Sequence, residues 1–462
     1  MEQRNINEAV LRAAREMWAR AATMRSKRLR YKKFTYGDQW SDLTTVDGMT
    51  MTAAEAARRH GRQPMTNNLI RRMVKSVIGR YRYMREEKAA KSGIDSAMRE
   101  VYTANNLDEL DCRALEEFLI SGCAIQRVSD GVRHGRPGRW VENVNPAAFF
   151  VNRVKDPRGW DTQIVGMLHD WSLTETVMRL SRGNRRRAAA IRDIYTNISG
   201  NMTGQFSSTA ERGLCRVIEI WTLECRERLR CHDRETATFY VAPMSSETEI
   251  DTDNACRRRE GRPETDTRWE TVTRWHCRWM APTGELLDEY DSPYRHGSHP
   301  FEFKLYPLID GEVHSLVEDV IDQQIYVNRL ITLIDHVIGT SAKGVLLFPA
   351  DQKIDGMKWE EVGRLWGSPD GILPYHPRGG QPQPQQVTAT GGDFGARAML
   401  DTQMKMFEEV SGVSETLMGG RDASMGAEHY ESRVRDAVIA IADLLHTFEN
   451  FIAERDRKIV AL

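Results

Sequence analysis

Residues 299–338 read HPFEFKLYPLIDGEVHSLVEDVIDQQIYVNRLITLIDHVI. A short extended segment punctuated by Pro300 and Pro307 runs to a turn at Asp310-Gly311. From there apolar residues fall at Val313, Leu316, Val317, Val320, Ile321, Val327, Leu330, Ile331, Ile334, Val337 and Ile338. That is the three-and-four spacing of a helix with one apolar face. Neither Pro nor Gly interrupts it before Gly339. About 26 residues at a rise of about 1.5 Å make a rod of roughly 39 Å. Inside the seam, Asp322, Gln323, Gln324, Asn328 and Arg329 need partners or water. Such a helix suits either the core of a large domain or side-by-side packing against copies of itself. In the second case Asp322, Gln324, Asn328 and Arg329 are the expected contacts between copies.

The chain has 462 residues, 40% hydrophobic and 28% charged, a globular composition long enough for more than one domain. A net charge of −1 argues against a protein that grips nucleic acid over its whole surface. Seven cysteines without short paired spacing indicate neither a disulfide framework nor a zinc module, so a reducing cytoplasm is the expected setting. The opening MEQRNINEAVLRAAREMW holds no apolar signal core, and no apolar run is long enough to span a membrane.

Residues 6–33 read as a basic amphipathic helix, either solvated on its charged face or touching an anionic partner such as DNA or an acidic protein face. The aromatic turn Gly37-Asp-Gln-Trp40 follows, then a helix within 64–83 that opens on Asn67-Asn-Leu-Ile70 with Thr66 and Asn67 as cap candidates. Another helix is expected over 94–120. Beyond Gly122 the pattern turns to strands, with helices at 172–182 and 185–195 and polar loops at 198–212 and 245–267. After the long helix come short strands at 341–350 and 371–375, a small helix at 357–366 and the extended Pro/Gln segment 378–387. Residues 395–410 are helical again, 411–427 form a Gly-rich break, and 428–460 carry a last long helix.

No nucleotide-binding glycine motif is present, so the chain is not an ATP-driven motor. Gly419-Gly420-Arg421 lacks the Lys-Ser/Thr that a phosphate loop needs. Cys225, Cys231, His232, His276 and Cys277 lack metal-ligand spacing, and the histidines 296, 299 and 314 lack a catalytic constellation. No cofactor, metal or enzymatic activity is expected. A nucleic-acid-processing enzyme of the cytoplasm would need a site that these patterns miss. An oligomeric adaptor is a further alternative, although such chains are usually shorter and lack this helix–insert–helix–loop–helix order.

That order, with His299, Pro300, Phe301, Pro307, Gly311, Ser315, Leu316, Ile321, Asp322, Gln324 and Asn328, resembles the portal (head–tail connector) proteins of tailed bacteriophages. Gly37-Asp-Gln-Trp40 and Asn67-Asn-Leu-Ile70 are similar to portal N-terminal sequence. The resemblance is good over about 299–462 and reaches the earlier part through those motifs alone. It implies an α+β portal-type subunit: an α/β wing at 1–312 (N-terminal helices 6–120, mixed α/β 121–312) and a stem helix at 313–340. A small α/β clip follows at 341–390, a second stem helix at 391–411, a Gly-rich tunnel loop at 412–426 and a long helix toward the crown at 427–462. A crown extension is expected to be absent or minimal.

The implied assembly is a homo-oligomeric ring, typically a dodecamer, at one capsid vertex of the virion, put together in the host cytoplasm. Double-stranded DNA passes through its bore. Capsid protein, terminase and a tail adaptor are the implied partners. Ser414, Glu415, Thr416, Leu417, Met418, Arg421 and Asp422 would face the DNA, and Lys343, Lys353, Lys358, Arg364 and Arg378 would carry clip docking.

Overall fold

The computed structural model describes residues 2–91, 96–133, 135–197, 204–209, 211–341, 345–368, 372–380, 382–387, 395–413 and 439–462. They form an α+β chain that divides into two units. One holds Met1–Leu29, Tyr81–Ser315 and Ala442–Leu462; the other holds Arg30–Arg80 and Leu316–Ile441. Residues 30–80, expected in the wing, pack with the 316–441 segment, and the closing helix packs with 81–315. Among the described residues no helix is long and apolar enough to cross a membrane.

The first unit is built on the strand Leu214–Asp233. Its six-stranded antiparallel sheet runs Leu286–Asp291, Thr265–Met280, Leu214–Asp233, Ile164–Ser172, Phe149–Val151, with Thr238–Pro243 added beside the distal half of the long strand. Alternation along a strand sends neighbouring side chains to opposite faces. Val217 and Trp221 thus enter a core with Val165, Val177, Ile191 and Cys277, under the helices Leu173–Leu180 and Arg185–Asn197. Ile218 and Ile220 enter another with Leu11, Ala14, Phe150, Leu168 and Met280, under the helix Glu2–Arg20. Gly166 lies where strands meet without spare room, since a Cβ there would fall 2.1 Å from the Glu219 carbonyl and 2.4 Å from Phe150 Cζ.

Glu219, on the first of those faces, is fully buried and fully partnered. Arg127 Nη2 stands 3.1 Å away, His169 Nε2 2.8 Å and Trp221 Nε1 2.9 Å. Burial alone would raise its pKa, but the Arg127 charge and the His169 and Trp221 hydrogen bonds bring it down to about 2.

A second sheet runs Phe301–Leu305, Cys123–Arg133, Arg136–Asn143. The helices Leu107–Ser121 and Ala442–Val460 pack on it. The Asp310-Gly311 turn closes the small hairpin Pro307–Ile309/Glu312–Val313, and φ values of 54° and 82° there fit the Asp-Gly pair of a two-residue hairpin loop.

Three local readings change. The basic N-terminal helix is two helices, Glu2–Arg20 and Ala22–Thr35, and Arg25 takes up the Trp18 carbonyl while its guanidinium lies 3.5 Å over the Trp18 ring. The 94–120 helix breaks at Asn106, whose φ of 50° is left-handed. The polar stretch 245–267 holds the helix Glu247–Arg259, anchored by Arg257 on Asp233 at 2.9 Å.

Candidate functional site

Residues 37–40, residues 67–70 and the helical part of 299–338 meet in the second unit, while 299–315 belong to the first. The helix Leu316–Ser341 begins with Glu318 and Asp319, which suit the positive end of its dipole. Its apolar face buries Val317, Val320, Ile321, Val327 and Leu330. The interruption in that face is the pair Gln324 and Asn328, one helical turn apart and 0% and 2% exposed.

Gln324 reaches the start of the helix Leu69–Lys91. Its Oε1 accepts from the amides of Leu69 at 2.9 Å and Ile70 at 3.2 Å, while its Nε2 donates to the Asn67 carbonyl at 2.7 Å. A helix start leaves four amides without intrahelical partners, and here a glutamine from another helix satisfies two of them. Asn68 supplies the local cap by accepting from the Arg71 amide at 2.9 Å.

Asn328 continues the network. Its Oδ1 accepts from the Asn67 amide at 3.0 Å and from Gln324 Nε2 at 3.1 Å, and its Nδ2 donates to Gln39 Oε1 at 2.6 Å. Gln39 in turn donates to the Phe34 carbonyl at 2.8 Å and to Asn68 Oδ1 at 3.1 Å. One turn further along, Thr332 accepts from the Met65 amide at 3.1 Å. Nearby, burial first and then a hydrogen bond with Glu318 push the Tyr31 phenol well above its usual pKa. The Gly37-Asp-Gln-Trp40 and Asn67-Asn-Leu-Ile70 motifs are thus two walls of one amide cluster, and the long helix is the third.

Gln324 and Asn328 have their polar atoms engaged inside the chain, since only there do the open helix start and the Gln39 amide lie within reach. Asp322 and Arg329 are exposed. Spacing alone does not reveal the difference, because all four are polar residues on one helix.

The insert between the two rods is small and open. Val345–Leu347 pairs antiparallel with Gln385–Val387, so the partner strand lies in the Pro/Gln segment and not at 371–375. Pro374 deprives that earlier stretch of a ladder donor. Gln352, 1% exposed, donates to the Pro382 carbonyl at 3.1 Å and ties the two arms together. Phe348 meets Trp359 of the helix Trp359–Gly367 edge to face, with ring centroids 6.0 Å apart. Lys353 bonds the Met357 carbonyl and lies 5.4 Å over the Trp359 ring. Lys358 and Arg364 are exposed, and Arg378 sits 3.3 Å from Asp351. The helix Ala396–Ser411 packs against Leu316–Ser341, with Tyr326 Oη 3.6 Å from Met399 Sδ. Lys343 and the loop residues Ser414, Glu415, Thr416, Leu417, Met418, Arg421 and Asp422 lie outside the described residues.

Among the described residues no group of three histidine, cysteine or acidic side chains is placed to hold a metal ion. The arrangement is mechanical: a buried amide cluster that fixes a long helix, and an exposed insert beside a second helix.

A family model of the phage P22-like portal protein matches residues 11–462. No curated protein matches the chain. The match takes in all three signature stretches and both units, and the chain belongs to the P22-like phage portal protein family.

Proposed function

We propose that this chain is the subunit of a ring, typically a dodecamer, that sits at one vertex of the phage capsid and conducts double-stranded DNA during packaging and ejection. The observation that carries the reading is the family match over 11–462. The family is structural, and the chemistry assigned here is passive conduction. A conduit must hold its cargo weakly, because each phosphate neutralised releases counterions and strengthens binding steeply. A chain with net charge −1 suits that requirement.

In this reading Leu316–Ser341 and Ala396–Ser411 are the stem rods. The exposed Asp322 and Arg329 meet sister copies, and Gln324 and Asn328 hold the stem helix in place within each copy. The insert between the rods is the clip, which receives terminase during packaging and a tail adaptor afterwards. Lys343, Lys353, Lys358, Arg364 and Arg378 are its docking cations, and the loop 412–426 lines the bore. Capsid protein surrounds the ring, which assembles in the host cytoplasm before joining the virion.

Negative-stain images and a mass measurement of the purified protein test the assembly: a ring with a central hole is expected, and a persistent monomer overturns it. Replacing 415–422 by a short Gly-Ser linker should leave the ring intact and impair DNA packaging or retention. Full packaging with stable retention would remove the bore role from that loop.

A further inference from the structure

The large sheet of the first unit runs on past its helical cover. In the strand Leu214–Asp233, Ile218 and Ile220 face the core, and the same face further along carries Arg226, Arg228, Arg230 and His232. The register sets Arg230 between Val241 and Arg268, and His232 between Phe239 and Asp266. On the opposite face Leu229, Cys231 and Ala242 are covered by Met244 and Ile250, the latter from the helix Glu247–Arg259. One face of this extension is thus roofed by a helix and the other is open.

The open face is unsatisfied in two ways. Arg228 is paired with Glu270 at 2.6 Å and Arg226 with Asp291 at 2.8 Å. Arg230 and Arg268 instead stand directly opposite each other across the ladder, and neither has a carboxylate partner among the described residues. Like charges in that position destabilise a strand pair. Beside them Phe239, 67% exposed, stacks on His232 at 4.2 Å, and Val241 is 52% exposed. A surface of this kind fits an apolar contact rimmed with carboxylates.

The roof of the same extension offers one. In the helix Glu247–Arg259, Ile250, Asn254 and Arg257 turn toward the sheet, while Glu247, Glu249 and Asp251 are exposed. Thr248, Thr252 and Ala255, also exposed, keep its outer surface low enough for close approach.

We propose that the open face of the extension in one copy docks on the Glu247–Arg259 helix of a second copy. Glu249 and Asp251 of that copy then relieve the Arg230–Arg268 repulsion, and Phe239 and Val241 are covered. The two complementary surfaces lie on opposite faces of one element, so the contact is heterologous and repeats head to tail; such contacts close as rings or run on as filaments. The proposal rests on the ring reading above and assigns one of its interfaces.

The test uses the full chain with Cys225→Ser and Cys256→Ser, which remove the exposed thiols. Adding Arg230→Cys and Asp251→Cys together, followed by mild oxidation, should give a ladder of covalent multimers on a non-reducing gel, and neither substitution alone should. In a separate chain, Arg268→Glu sets opposite charges across the strand pair, so its melting temperature should hold or rise while ring yield at fixed concentration falls roughly tenfold. With Arg230→Glu and Arg268→Glu together, reversing Glu249 and Asp251 to Arg should restore assembly. Rings that form without the ladder overturn this interface and leave the portal reading standing. Rings that assemble from Arg268→Glu as from the natural chain overturn the charge assignment. A natural chain that forms no ring and no ladder removes both.

Discussion

Arg455 and Asp111 bind each other with no exposed surface on either side chain: Nη1 to Oδ1 at 2.7 Å and Nη2 to Oδ2 at 3.3 Å. Gln126, the Tyr102 hydroxyl and Asp456 complete the guanidinium shell at 3.2 Å, 3.1 Å and 2.8 Å. Arg85 holds the other side of Asp111 at 2.5 Å. This group locks the helix Ala442–Val460 onto the three-stranded sheet. Removing one partner of a buried pair leaves an uncompensated charge, at a typical cost of about 3–5 kcal/mol. Arg455→Ala should lose a part of that, because Arg85 remains on Asp111. Chemical denaturation monitored by circular dichroism measures the loss, and Asp111→Leu should destabilise by more than Arg455→Ala, because it takes the shared carboxylate from both Arg455 and Arg85.

Gln324→Leu keeps much of the side-chain volume and strips two amides of an acceptor. Ile70 then has a buried N–H group without its acceptor, and Leu69 keeps only the Asn67 carbonyl at 2.9 Å. A loss of about 1–3 kcal/mol is expected. Hydrogen exchange at those two amides should accelerate, whereas a role confined to contacts between copies would leave exchange in the isolated chain unchanged.

Glu219 has a folded pKa near 2 against an ordinary value of 4.5. Its folded pKa is depressed, so the stabilisation is present above about pH 4.5 and is lost as the pH falls toward 2. Unfolding free energy measured from pH 6 to 2 should fall across that window in the natural chain. Glu219→Gln should flatten the fall and lower stability near neutrality, where Arg127 loses its counter-charge. An identical pH profile in the two proteins would sink the assignment.

Gly166→Ala should destabilise the first unit by about 1–3 kcal/mol or more, because the added methyl meets both a carbonyl and the Phe150 ring. Phe150→Leu in the same chain should recover part of the loss. Thermal melts of the three variants against the natural chain measure it.

Periodicity made much of the framework legible. The long helix, the strands around Trp221 and Trp275, and the rod–insert–rod order all show in the spacing of apolar residues. The packing partners do not. Nothing in the spacing of Gln324 and Asn328 tells a contact with another copy from a cap on residues 67–70, since both demand a polar side chain at the same helical step. Arg455 follows Phe451 and Ile452 on the buried side of its helix, where a charged residue breaks the stripe. Its buried partner Asp111 comes from a distant stretch of chain. The helix Glu247–Arg259 escaped notice because it buries little and its apolar stripe reduces to Ile250.

The acceptor for the Leu69 amide is synthesised 255 residues later. At the roughly 5–20 residues per second of translation, that leaves an interval of about 13–50 s. During it, residues 30–80 have left the ribosome with their helix start still uncapped by Gln324. The Arg455–Asp111 lock is separated by 344 residues and closes later still. A product terminated before Gln324 lacks the clasp on residues 67–70, and one terminated anywhere before Arg455 lacks the lock on Asp111, so every early stop leaves at least one unit open.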